Sequence, residues 1–173
     1  MRWMWIDRVV ELVPGERLVA VKNVTLAEEH LHDHFGAGGG GAAFPVMPGC
    51  LVVEGMAQSA GILVGHAGGF REKVILAKVS RARLDLDAVP GQTLRHTAVV
   101  RSMDEAGAST AGVVEVFDHA RPGSGWSCLG EIDLLFSHID RNRGGVRFPE
   151  HNFVFGEQFK TLLRTSGVAV PEG

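Results

Sequence analysis

A histidine and a glutamate frame the stretch of this chain best equipped for chemistry. His34-Phe35 is followed by a glycine-rich spacer and then by Phe44-Pro45-Val46-Met47-Pro48-Gly49-Cys50-Leu51-Val52-Val53-Glu54-Gly55-Met56-Ala57-Gln58. An imidazole can take a proton near neutral pH and a carboxyl group can give one, so the pair could act as general base and general acid. Between them, Pro48-Gly49 reads as the start of a helix. The N–H groups of a first helical turn lack intrahelical acceptors and carry the positive end of the dipole, so they could polarise a carbonyl oxygen. Gly49 would let a ligand approach that backbone closely. A turn glycine after Pro48 is the plainer alternative.

Glu54 falls inside an apolar run, with Val52, Val53 and Met56 as neighbours. A carboxylate there is costly unless paired or hydrogen-bonded, and burial in general suits a carboxyl group to proton transfer near pH 7. The sequence predicts a buried Glu54; a side chain reaching solvent at a helix edge is the alternative. Gln58 lies one turn later on the same face and could orient Glu54 or support the helix, support being the simpler role.

Other groups invite weaker readings. His30, His32 and His34 alternate in Glu28-Glu29-His30-Leu31-His32-Asp33-His34. The run falls one residue short of a pattern used by some dinuclear hydrolases, and His66, His96, His119, His138 and His151 form no evident second ligand set. The expectation is no metal, with His30 and His32 in a solvated polar loop. Gly36, Gly38 and Gly41 match a dinucleotide-binding glycine pattern in form only. No clear strand precedes them, and Pro45 and Pro48 stand where a helix should follow, so a flexible loop is expected.

The elements that must position these residues follow from periodicity and punctuation. Residues 5–12 read as a lead-in or first strand ending at Pro14-Gly15, and 17–25 as a valine-rich strand. Residues 50–65 read as a helix whose small residues Gly55, Ala57, Ser59, Ala60 and Gly61 would let it lie close against a sheet. Its glycines weaken it, so tertiary burial must hold it. Four strands follow, over 74–86, 92–103, 109–118 and 126–139, joined by short turns that imply antiparallel pairing. Residues 140–145 read as a linker and 156–166 as a short amphipathic helix. One long helix against an antiparallel sheet is an α+β layout, with a domain over 1–140 and a C-terminal extension over 141–173.

Composition bounds the partners. A chain of 173 residues, 45% apolar and 21% charged, suits one globular core. A net charge of −3 argues against nucleic acid. The N-terminus has no basic stretch leading into an apolar run, and the apolar segment 50–64 is shorter than the roughly 20 residues of a membrane span. No membrane association is expected. Cys50 and Cys128 read as reduced thiols of a cytoplasmic protein.

The stretch from His34 to Gln58 resembles the signature of the 3-hydroxyacyl-(acyl carrier protein) dehydratases. The matching pieces are His34-Phe35, Pro45-Val46-Met47-Pro48-Gly49, Glu54 and Met56-Ala57-Gln58. Further similarity covers residues 6–11, Leu76 to Arg83, and Val89-Pro90-Gly91. The resemblance implies a hot-dog fold, in which an antiparallel sheet wraps one long helix. It implies a homodimer in which His34 of one subunit faces Glu54 of the other, with trimers of dimers also known in the family. It further implies a 3-hydroxyacyl substrate carried on acyl carrier protein, in a tunnel beside the helix. By the same resemblance His34 and Glu54 are catalytic, and Gly49, Cys50 and Gln58 are substrate-binding. The activity is loss of water to give a trans-2-enoyl product, without metal or organic cofactor. A thioester hydrolase of the same fold and a non-catalytic acyl-binding protein are the alternatives. Two features depart from the family. The spacer after Phe35 is longer by about six residues, which predicts a displaced or mobile His34. Asp85-Leu86-Asp87 stands where basic residues and proline are usual, which predicts a poorer dock for an acidic carrier.

Overall fold

A computed structural model describes residues 3–34, 36–37, 42–138 and 152–170. Strand β1 (Arg8–Val13) and β2 (Arg17–Val24) form the opening hairpin. Gly15 in its turn holds a φ of 70°, a left-handed backbone that glycine adopts without strain. A single helical turn, α1 (His30–Asp33), comes next, then the long helix α2 (Gly49–Ala67). Four strands complete the sheet: β3 (Val74–Leu84), β4 (Gln92–Met103), β5 (Gly107–Asp118) and β6 (Trp126–His138). The expected C-terminal helix is α3 (Glu157–Thr165). The stretch expected as a linker lies outside the described residues, as do Phe35, Gly38 and Gly41.

Among the described residues, six strands join one antiparallel sheet in the order β1-β2-β4-β5-β6-β3. The chain leaves β2, runs through both helices, lays β3 at the far edge, and returns to place β4 beside β2. Helix α2 touches β2, β3, β4, β5 and β6. Strands lie about 4.8 Å apart and a helix is about 10–12 Å across, so a flat sheet could not offer five strands to one helix. The sheet is therefore curled around α2. Bulges in the β1–β2, β3–β6, β4–β5 and β5–β6 ladders supply local twist for that curvature.

Burial follows the wrap. Strand β5 alternates, turning Ala108, Thr110, Val114 and Val116 to the core. Helix α2 is buried on nearly every side, from Gly55 through Ala60 and again from Ile62 through Gly65. It is long and apolar enough to cross a membrane, longer than the sequence suggests, but 72% of its apolar window is buried within the protein. Its glycines have a packing reason. A Cβ on Gly55 would lie 2.8 Å from His96 Nε2 and 2.9 Å from the Trp5 carbonyl. Helix α3 buries Leu162 and Leu163 and packs on β1, where the Val9 N–H donates to Ser166 Oγ at 3.0 Å.

Candidate active site

His34 follows directly on α1, where the backbone turns extended with φ −75° and ψ 105°. Its own N–H donates to the His30 carbonyl at 3.2 Å. Across the glycine-rich spacer, its Nδ1 lies 2.5 Å from the Val46 carbonyl oxygen. A carbonyl only accepts, so Nδ1 carries the hydrogen and the neutral ring has its lone pair on Nε2. The ring is thus tied back to the segment that leads into α2. That segment is fixed in turn, since Met47 N–H donates to the Ala88 carbonyl at 2.8 Å and both Val46 and Met47 are buried.

His34 and Gly49 line one cavity of about 260 Å³, together with Val52, Leu84, Asp85 and Asp87. Pro48 caps α2, and its carbonyl accepts from Leu51 N–H at 2.8 Å and Val52 N–H at 3.4 Å. The N–H groups of Gly49 and Cys50 come ahead of these and have no carbonyl within the helix to reach. Both residues are exposed, and Cys50 is a free thiol. A Cβ on Gly49 would sit 3.0 Å from Leu84 Cδ1, so the end of β3 closes over this helix start. Asp85 on the cavity rim accepts two bonds from the Arg83 guanidinium, at 3.0 and 2.8 Å.

Glu54 lies five residues into the helix from Gly49, about 140° around its axis. It opens into a different cavity of the same chain. The sequence predicts a buried Glu54; in the structure it is half-buried. Its Oε1 accepts from Gln58 Nε2 at 3.0 Å and from Trp3 Nε1 at 3.3 Å. Both donors meet one oxygen, which leaves Oε2 outside these two bonds. Gln58, expected among the substrate-binding residues, is 5% exposed and is bonded within the protein at both ends of its amide. Its Oε1 accepts from Trp5 N–H at 2.8 Å, and its Nε2 also donates to the Trp3 carbonyl at 3.1 Å. It therefore fastens the N-terminal lead-in to α2 and orients Glu54 at once.

The three alternating histidines separate. His32 Nε2 meets the Leu26 carbonyl at 2.7 Å and His34 meets Val46. His30, expected in a solvated loop, packs edge-on against Trp5 with ring centroids 5.1 Å apart. Burial pushes its pKa down, against the opposing pull of Glu28. The expectation of a loop failed because α1 is only one turn long, too short for periodicity to reveal. Trp3 and His96 are the neighbours that sequence reasoning missed. The pair Trp3 and Trp5, stacked edge-on at 5.6 Å, was the available signal. His96 is fully buried beneath Gly55, and neither ring nitrogen meets a hydrogen-bond partner in good geometry among the described residues.

An antiparallel sheet wrapped around one long helix defines the hot-dog fold class. Residues 2–118 match the family model described as a FabA-like domain, and the chain belongs to that family. It is 37% identical to a 3-hydroxyacyl-(acyl carrier protein) dehydratase FabZ of Solibacter usitatus over 116 residues, covering 66% of this chain and 67% of that one. It is 33% identical to the protein of that name from Pediococcus pentosaceus over 140 residues, covering 80% and 85%. A third relative of the same name, from Geobacter metallireducens, is 41% identical, and the match spans 60% of its length. Among solved structures, the dehydratase heterocomplex ApeI:P from Xenorhabdus doucetiae aligns with a TM-score of 0.58 at 17% identity, over 82% of this chain and 85% of that one. An acyl-CoA hydrolase from Agrobacterium tumefaciens aligns at 0.55 with 15% identity, over 75% and 45%. These two likenesses are of fold alone. Residues 152–170 lie beyond the family match.

Proposed function

We propose that this protein dehydrates 3-hydroxyacyl thioesters carried on acyl carrier protein to the trans-2-enoyl products. The observation that carries the reading is His34, its Nδ1 held by the Val46 carbonyl, in one cavity with the start of α2. Relatives named as dehydratases support it. His34 Nε2 removes a proton from C2 of the substrate. The Gly49 N–H, with that of Cys50, receives the thioester oxygen as enolate charge develops. Glu54, in its acid form, gives a proton from Oε2 to the 3-hydroxyl, and the C3–O bond breaks to release water. The C2 electron pair becomes the new double bond. His34 is left protonated and Glu54 ionised, and return of that proton resets the pair. No cofactor enters these steps.

His34 and Glu54 open into separate cavities of one chain, so the proposed unit is a homodimer that brings one of each together, with a trimer of dimers as a further assembly. Strand β3 is the edge for such pairing, bonded to β6 on one side, with Leu76 and Val79 exposed. The proposed compartment is the cytoplasm, where exposed thiols such as Cys50 and Cys128 stay reduced.

The test is hydration of an enoyl thioester, followed by loss of its conjugated chromophore. His34→Ala and Glu54→Gln should each lower the rate by about 10²–10⁴-fold. Release of free thiol from a saturated acyl thioester, undiminished in His34→Ala, would instead identify a hydrolase.

A further inference from the structure

The cavity at Glu54 holds about 190 Å³ and is apolar beyond its mouth. One face of α2 forms its floor, running from Glu54 through Ala57 to Gly61 at helical spacing. That run rises about 10 Å along the helix axis. Leu76 of β3 and Phe136 of β6 are its walls. Val154, Phe155 and Phe159, from the segment beyond the family match, stand at its far end.

Gly61 differs from the other glycines of the helix. A Cβ there would meet Phe136 Cε1 at 3.7 Å, an ordinary contact, with no other atom closer. Packing does not require a glycine at this position, and what its absent side chain leaves is space in the trough. The end wall, by contrast, is held firmly. Phe155 is 6% exposed, its ring presses on Gly65, and it meets Phe70 edge-on at 4.9 Å and Phe159 at 6.0 Å. Asn152 Nδ2 donates to the Phe70 and Glu72 carbonyls at 3.0 and 2.9 Å, while its Oδ1 accepts from Val154 N–H at 3.1 Å. The Ser166 bond to Val9 fixes the other end of this segment.

We propose that Val154, Phe155 and Phe159 close an acyl trough that begins at Glu54, so that this C-terminal segment sets the longest acyl chain the protein accepts. The inference rests on the dehydratase reading for its orientation: the reacting carbons lie at Glu54 and the alkyl tail points along α2 towards Phe159. A polar mouth and an apolar interior suit a thioester head and a hydrocarbon tail.

The experiment measures calorimetric affinity of the full chain for saturated S-alkyl pantetheine thioethers, from about four to about sixteen carbons, which bind without turnover. Wild type should gain about fourfold in affinity per methylene until the tail reaches the end wall, then gain no more. Phe159→Ala should move that break to longer chains by about two carbons or more. Gly61→Leu, which fills the trough midway and does not touch the C-terminal segment, should move it to shorter ones. Thermal melts establish that each variant is folded, and Gly61→Leu carries the test if Phe159→Ala is not. One break position shared by wild type and folded variants would overturn the inference, as would no gain in affinity with chain length, the result expected if a partner's side chains fill the trough. Turnover is read separately. Shifting breaks in a protein that hydrates no enoyl thioester would sustain the trough while sinking the dehydratase reading.

Discussion

His96 sits on the core side of β4 directly beneath Gly55, and its burial pushes the imidazole pKa down to about 4, with Lys22 adding to the shift and the Val52 carbonyl opposing it. An unfolded chain would bind that proton near pH 6.5. Between the two values the unfolded state takes up a proton that the folded state refuses. Stability is therefore complete above about pH 6.5 and falls as pH drops towards about 4, by about 3 kcal/mol from this residue. Melting temperature against pH checks it: His96→Leu should flatten that part of the profile, and an unchanged slope would contradict the assignment. Gln58 gives a second residue-scale expectation. Gln58→Ala strands the buried Trp5 N–H and removes a donor from Glu54, which should cost about 1–3 kcal/mol in a denaturant melt. The same variant should lower kcat, because Glu54 keeps only the longer of its two bonds, the one from Trp3.

Helix α2 sets the geometry of both halves of the site, and its glycines separate packing from space. Gly55→Ala drives a methyl group into His96 and the Trp5 carbonyl and should destabilise by about 1–3 kcal/mol. Gly61→Ala meets only an ordinary contact and should stabilise, by up to about 1 kcal/mol from helix propensity. Equal effects in the two melts would contradict the packing described. The sequence could reveal this helix because Pro48-Gly49 marks its start and its apolar run outlasts any ordinary strand. The strands were legible through turn residues such as Pro90-Gly91 and Asp104 to Gly107. Local pattern could not show the rest. One-turn α1 is too short to have a period, Trp3 reaches Glu54 across 51 residues of sequence, and Phe155 reaches Gly65 only once the chain has folded. His34 stood out by its motif, but its bond to the Val46 carbonyl joins residues twelve apart and has no signature in local pattern.

At the scale of the whole molecule, one curled sheet and one helix place His34 and the helix start in one cavity and Glu54 above an apolar trough in another; in the proposed mechanism these are the base with its oxyanion site, and the acid. The separation gives the account its central claim: a working site takes His34 from one subunit and Glu54 from its partner. Mixing His34→Ala with Glu54→Gln tests it most directly. Each variant alone should be nearly inactive. Refolded together in equal amounts, half of the dimers should be mixed, and each mixed dimer should hold one intact site of two, restoring about a quarter of wild-type enoyl hydration. If the two residues act within one chain, every site in the mixture lacks one of them. No activity beyond that of the separate variants, in dimers shown to have exchanged subunits, would contradict the account.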